Sequence, residues 1–377
     1  MREATQYRII LELLNSYHGK EPLSRYLKKY FHRNRQLGSR DRRLIQQFMF
    51  NYFRIGKMYA EKTMEERLAI ANHICRTEAG PLLDYSSREI QRIERLTAHL
   101  EPDKIFPFGR HLSDSIGKAE YIHSFIVQPK AWIRVREEFA AAVEKEFSEK
   151  KIEFEKDPEV PLAWSVRNST PLDQLDSYLL GYFEIQDLSS QKTIGLIQPK
   201  AGETWWDACA GSGGKSLMMA ASEPSINMFC TDARAGILKN LTERFRRSGI
   251  KNYTAKMMDL SAGGKPRISI RFDGILADVP CTGSGTWART PERLAFFDTG
   301  SIAKFQDVQR KIISGIAGLL PENKPFVYIT CSVFKEENED MTSWVAANSP
   351  LKLQTQKYFE GAAKGADTMF VARFIRS

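Results

Sequence analysis

The spacing of apolar positions changes twice along the chain. Over residues 1–100 it is helical: Tyr7, Ile10, Leu11 and Leu14 recur on one face, as do Leu23, Tyr26, Leu27 and Tyr30. A repeat of i, i+3, i+4, i+7 is the stripe an amphipathic helix buries. A third helix is expected after Ser39 as its cap, burying Leu44, Ile45, Phe48, Met49, Tyr52 and Phe53. Thr63 with Glu66 reads as a capping box ahead of Leu68, Ile70 and Ile74. Aromatics at this spacing are expected in a core rather than as platforms for stacked bases.

From about 120 to 185 the period shortens. Ala131 to Arg136 alternates like a strand, Phe139 to Phe147 returns to helix, and Ile152–Phe154 and Trp164–Val166 are further strand candidates. After Gln186 strands and helices alternate. Strands are predicted at Thr204–Asp207, Met228–Asp232, Phe272–Asp278, Phe326–Thr330 and Met369–Phe374. Helices are predicted at Lys215–Ala221, Ala235–Ser248, Ser301–Leu319 and Glu337–Ala347. Such alternation specifies an α/β sheet covered on both faces. The expected organisation is an all-α domain over 1–118, a small α+β module over 119–185, and a Rossmann-like α/β domain over 186–377. Ligands of such sheets sit beyond the carboxyl ends of the strands, where the chemically informative residues cluster.

Composition narrows the class. The chain has 377 residues, 42% apolar and 27% charged, which suits two or three folded domains. Its apolar runs are too short and too interrupted to span a membrane, and its start does not read as a signal peptide. Five cysteines without a CxxC pair argue against a disulfide framework or a zinc ribbon, so no metal is expected and a reducing cytoplasm is. All six histidines lie between His18 and His123, which removes histidine-based catalysis from the α/β part unless His111 or His123 reaches across. Residues 1–60 hold thirteen Lys and Arg against four acids, 13 − 4 = +9, equal to the net charge of the whole chain. A surplus concentrated in this way is the footprint of a polyanionic partner; the plainer alternative is a solvated helical face.

The first strand of the α/β part runs from Asp207 into Ala208-Cys-Ala-Gly-Ser-Gly-Gly-Lys215. Glycines at a strand-to-helix turn let a ligand approach the free backbone N–H groups. A P-loop would need Gly where Cys209 stands, and a dinucleotide fingerprint would need Gly or Ala at Ser216. An adenosine ligand without a pyrophosphate fits better. Asp232, at the end of the second strand, is placed to accept two ribose hydroxyls, and Asp259, in Lys256-Met-Met-Asp259 after a third strand candidate that precedes Phe272–Asp278, to face an adenine amino group.

The fourth strand delivers Asp278-Val-Pro-Cys281 and the fifth delivers Thr330-Cys331-Ser332. Adjacent strand ends would bring Asp278, Cys281 and Cys331 to one crevice. A thiolate there suits addition to C6 of a pyrimidine, which is what makes the poorly nucleophilic C5 of cytosine reactive. A carboxyl group such as Asp278 would protonate N3 and stabilise the displaced charge. Cys75, Cys209 and Cys230 read instead as small buried hydrophobes.

These residues resemble the Sun/Nop/RsmB-type RNA cytosine-5 methyltransferases. The resemblance runs in order through Ile185–Gln191, Asp207–Lys215, Asp232, Asp259, Asp278–Gly285, Tyr328–Ser332, Glu337-Asn-Glu339 and Phe370–Arg373. It implies the fold of S-adenosylmethionine-dependent methyltransferases. It also implies a cofactor site lined by Cys209, Ala210, Gly211, Ser212, Gly213, Gly214, Lys215, Asp232, Asp259 and Asp278. Cys331 would be the nucleophile, and Cys281 would assist release of methylated RNA. Gly211-Ser212 departs from the usual Ala-Pro pair, and Thr282 replaces a commoner Ser. The basic helical start is similar to the RNA-binding domain of bacterial ribosomal members, so ribosomal RNA is the expected partner of a monomeric enzyme. Two alternatives stand beside this: a non-catalytic RNA-binding assembly factor, and methylation of cytosine in transfer RNA or DNA.

Overall fold

The computed structural model describes residues 3–75, 93 and 101–377, and its described parts divide into two compact units. The part of the helical expectation that falls on residues 76–92 and 94–100 lies outside the described residues.

The first unit is helical. Glu3–Ser16, Leu23–Arg33, Ser39–Arg54 and Met64–Ile74 form around the stripes read from the sequence. Ile10, Leu14, Leu23, Leu27, Ile45, Phe48, Met49 and Phe53 make their common core. The third helix corrects the reading at its start: Ser39 is its first helical residue and Gly38 occupies the cap position. Asp41 supplies the cap, its carboxylate accepting the Gly38 N–H at 3.2 Å. Thr63 and Glu66 do form the reciprocal capping box. The unit also takes in Thr286–Thr299, a segment far away in sequence. Arg54, fully buried, binds it by donating to the Ala288 carbonyl at 2.8 Å, and Glu292 accepts the Leu23 N–H at 3.1 Å.

The second unit holds two sheets. The small one is formed by β1 (Ala131–Val135), β2 (Phe154–Lys156), β3 (Ala163–Val166) and β4 (Phe183–Ile185), ordered β2-β3-β1-β4 with antiparallel pairing throughout. The helix Ala140–Glu149 contributes Val143 and Phe147 to its core, against Trp164 and Phe183.

The large sheet is formed by β5 (Thr204–Asp207), β6 (Asn227–Asp232), β7 (Tyr253–Met257), β8 (Gly274–Asp278), β9 (Pro325–Thr330), β10 (Leu351–Phe359) and β11 (Met369–Arg376). Its order is β10-β11-β9-β8-β5-β6-β7. β5 to β9 are parallel, and β11 enters antiparallel beside β9. Apolar residues fill both faces: Trp206, Ile275, Phe326 and Tyr328 on one, Trp205, Leu276, Val327 and Ile329 on the other. Strands buried on both faces carry continuous apolar runs, which is why β8 and β9 were legible. Strand order reverses between β5 and β8, so a crevice opens there at the carboxyl ends.

Candidate active site

At that crevice β5 ends in Asp207 and the chain turns through residues 208–213 into the helix Gly214–Ser222. Two backbone bonds anchor the turn to the neighbouring strands: the Ala208 N–H donates to Leu276 and the Ala210 N–H to Thr231, both at 2.8 Å. Gly213 adopts φ 81°, and a Cβ there would lie 2.9 Å from Leu241 and Phe245, so glycine is required twice over. Ser212, the departure noted in the sequence, is held by Arg244, whose Nη1 donates to the Ser212 carbonyl at 3.0 Å and to its hydroxyl at 2.9 Å. Arg244 in turn pairs with the buried Glu184 of β4 at 2.9 Å, so the small sheet helps to fix the turn.

Three carboxylates stand at this turn and a fourth lies further along the same edge of the sheet, and their surroundings differ. Asp207 is 1% exposed; its Oδ2 accepts the Ser216 hydroxyl at 2.6 Å, and its Oδ1 has no partner among the described residues. Burial pushes Asp207 up to about 7, with the neighbouring Asp278 charge adding to the effect and the Ser216 hydrogen bond opposing it. Asp232, at the end of β6, accepts the Gly211 N–H at 3.0 Å and takes the Arg234 guanidinium at 2.9 Å. Burial works against its charge, but Arg234 holds it below the usual carboxylate range. Asp259 lies exposed beyond β7, where it accepts the N–H and hydroxyl of Ser261 at 2.8 and 2.6 Å. Asp278, at the end of β8, pairs with Lys215 at 2.6 Å. The Cys209 thiol is pushed well above its ordinary range, by burial first and then by Asp207, Asp278 and Asp232. The floor of the crevice is therefore electronegative.

The two cysteine turns meet beside this floor. The sulfurs of Cys281 and Cys331 are 3.4 Å apart, beyond the ends of the paired strands β8 and β9. Gly285 locks the turns together: its N–H donates to the Cys331 carbonyl at 2.8 Å and its own carbonyl accepts the Thr368 N–H at 2.9 Å. A Cβ at 285 would stand 2.1 Å from the Thr368 oxygen, a clash no side chain can relieve. Lys215, nearly buried, links the cysteines to the glycine turn. Burial, the largest single influence, disfavours its charge, but Asp278, Cys331 and Asp207 together outweigh it, so the ammonium ends above its ordinary value. Cys281 is pushed well above the thiol range by its hydrogen bond to Cys331, then by burial, then by charge on Cys331 and Glu337.

The crevice thus brings together the glycine turn, Lys215, Asp232, Asp278, Cys281 and Cys331. Asp259 shares the carboxyl edge of the sheet but is bonded only to its own turn. Cys230 is fully buried in the core, as expected of a small hydrophobe. Asp207, Arg244 and Glu184 were not among the residues expected at the site. Only the first carried a signal, as an acid at the start of the glycine turn. The residues present fit S-adenosylmethionine: an orphaned buried carboxylate oxygen and an electronegative floor suit a cationic ligand, and Gly211 has open space where a side chain would project.

The seven-stranded sheet and its glycine turn are the fold of S-adenosylmethionine-dependent methyltransferases. Residues 194–375 match the family described as 16S rRNA methyltransferase RsmB/F. The chain is 27% identical over 263 residues to the ribosomal RNA small subunit methyltransferase B of Photorhabdus laumondii, covering 66% of this chain and 60% of that protein. It therefore spans less than two thirds of the length of that relative. Among solved structures it resembles PH0851, with TM-score 0.69 and 20% identity over 92% of this chain and 93% of that one. It also resembles NSun6 from Pyrococcus horikoshii, crystallised with SFG, with TM-score 0.59 and 18% identity over 66% and 91% of the two chains. Among the described residues, no helix is long and apolar enough to cross a membrane.

Proposed function

We propose that this chain methylates C5 of a cytosine in RNA, with Cys331 as the nucleophile. The observation that carries this reading is the 3.4 Å approach of two free thiols beside a lysine–aspartate pair at the mouth of the glycine turn. A site for methylating an exocyclic amine has no use for paired sulfurs, whereas activating C5 requires a nucleophile at C6.

In this reading the Cys331 sulfur adds to C6 and the ring electrons shift towards N3. The Lys215 ammonium interacts with that sulfur and with Asp278, so the Lys215–Asp278 pair balances charge on the sulfur and delivers a proton to N3. S-adenosylmethionine, when bound, supplies the electrophilic methyl group that C5 takes. Cys281 then assists loss of the C5 proton, the C6–sulfur bond breaks, and the methylated base leaves. Residues 209–215 would hold the cofactor, together with Asp232 for the ribose hydroxyls and Asp259 at the adenine edge. Arg234, whose side chain is 70% exposed, gives up Asp232 to those hydroxyls.

The polymer is RNA on two grounds: the excess of Lys and Arg in residues 1–60, and the relatives, whose names specify ribosomal RNA of the small subunit. The target base must leave its stack to reach the thiols. The test is incorporation of labelled methyl groups from S-adenosylmethionine into ribosomal RNA. The native chain is expected to label cytosine C5, and Cys331→Ala to bind cofactor without transferring methyl. Normal turnover by that variant would remove the assignment, and absence of labelling by the native chain would favour the non-catalytic alternative.

A further inference from the structure

Glu337 is a carboxyl group at the crevice that the proposed chemistry leaves unused; burial pushes it above its ordinary range, against hydrogen bonds from Ser332, Thr282 and Gln309 that favour its charge. It closes the short turn Lys335–Glu337 and has no solvent exposure. Its Oε1 accepts the Thr282 N–H at 2.9 Å and Gln309 Nε2 at 3.1 Å. Its Oε2 accepts the hydroxyls of Thr282 and Ser332, both at 2.5 Å. Thr282 is the residue after Cys281, and Ser332 the residue after Cys331. One carboxylate therefore grips both cysteine turns, and its hydrogen-bond donors are neutral. Burying a carboxylate on neutral donors alone is costly, and packing could be had more cheaply with an apolar residue.

Its contacts with the two turns are unequal: Thr282, beside Cys281, gives it an N–H and a hydroxyl, whereas Ser332, beside Cys331, gives it a hydroxyl alone. Cys281 is among the groups that feel Glu337, whereas the charged neighbours of Cys331 include Lys215. We propose that Glu337 is a positioning residue that sets the two thiols apart: it fixes the spacing of both turns and holds its carboxyl group against the Cys281 turn more closely than against the Cys331 turn, so that the two sulfurs differ in reactivity. This rests on the reading of Cys331 as nucleophile, and it explains why two adjacent thiols would take different roles.

The test uses the full chain and two readouts. Iodoacetamide modification of each cysteine, followed by mass spectrometry without RNA, reports the thiolate preference. Steady-state methyl transfer reports kcat and the KM for S-adenosylmethionine. In the native protein Cys331 is expected to react about tenfold or more faster than Cys281, since the thiolate is the reacting form. Glu337→Gln is expected to bring the two rates within about threefold and to lower kcat roughly tenfold or more, the scale of one lost charge-assisted hydrogen bond, with KM nearly unchanged. A purely structural carboxylate would not move the alkylation preference; native preference together with native kcat in Glu337→Gln overturns the proposal. If Glu337→Gln lacks the native circular dichroism spectrum, Thr282→Val decides, because it removes one donor and keeps the charge. Its kcat is expected to fall about tenfold with the alkylation preference retained; an unchanged kcat overturns the proposal. Alkylation is read without methyl transfer, so failure of the native chain to methylate RNA would defeat the proposed function and leave the alkylation result standing.

Discussion

Asp207 shows how far a residue's chemistry departs from what its neighbours in sequence convey. An acid beginning a glycine turn is visible in the chain, but its burial by β6, β8 and the following helix is not. Its folded value of about 7 sits above the ordinary one, so between roughly pH 4 and 7 the native state holds a proton that the unfolded chain has released. The stabilising contribution is whole below about pH 4 and is lost as pH rises through 7. Asp207→Asn keeps the shape and removes the titration. Urea unfolding of both proteins at pH 5 and pH 8 is expected to show the Asn variant gaining stability relative to the native chain at the higher pH. An identical difference at both values would mean that Asp207 is not perturbed in this way. Glu337 is a similar case: it stood in the Glu337-Asn-Glu339 motif, but its grip on Thr282 and Ser332 arises only once β8 and β9 lie side by side. The pairing of Cys281 with Cys331, by contrast, was legible, because adjacent parallel strands must deliver their ends to one place.

At the scale of elements, legibility followed burial. β5, β6, β8, β9 and β11 carry apolar runs and lie near their expected bounds. β10 went unseen because Leu351-Lys-Leu-Gln-Thr-Gln-Lys-Tyr-Phe359 is an edge strand with mostly exposed polar positions, and nothing in such a pattern separates strand from loop. β7 forms the opposite edge and is more exposed still. The connection from β4 to the glycine turn was equally hidden. Arg244, on the helix Ala235–Arg247, bridges Glu184 and Ser212 across sequence separations that no local pattern reports. Arg244→Ala removes one of the two arginines on a buried carboxylate, the other being Arg247 at 2.7 Å, and it frees the Ser212 carbonyl. Losing one of two charged partners of a buried carboxylate costs about 2 kcal/mol. The variant is therefore expected to melt several degrees lower and to show a KM for S-adenosylmethionine raised several-fold, while kcat changes little. A KM at the native value would detach the small sheet from cofactor binding.

For the whole molecule, the order of elements was readable from the period of apolar positions: helices first, then alternating strands and helices. What the sequence concealed is that Thr286–Thr299, which begins directly after the Cys281 turn, leaves the α/β unit and packs with the N-terminal helices. Its anchors, Arg54 to Ala288 and Leu23 to Glu292, join residues more than two hundred positions apart. Everything in the proposed function returns to one covalent bond between Cys331 and C6 of a cytosine, and Cys281→Ala addresses that bond because it removes the sulfur assigned to release. The full-length variant, given S-adenosylmethionine and ribosomal RNA, is expected to accumulate a protein–RNA adduct that survives a denaturing gel and maps by mass spectrometry to Cys331. Free variant protein, no adduct, and 5-methylcytosine formed at the native rate would contradict the account.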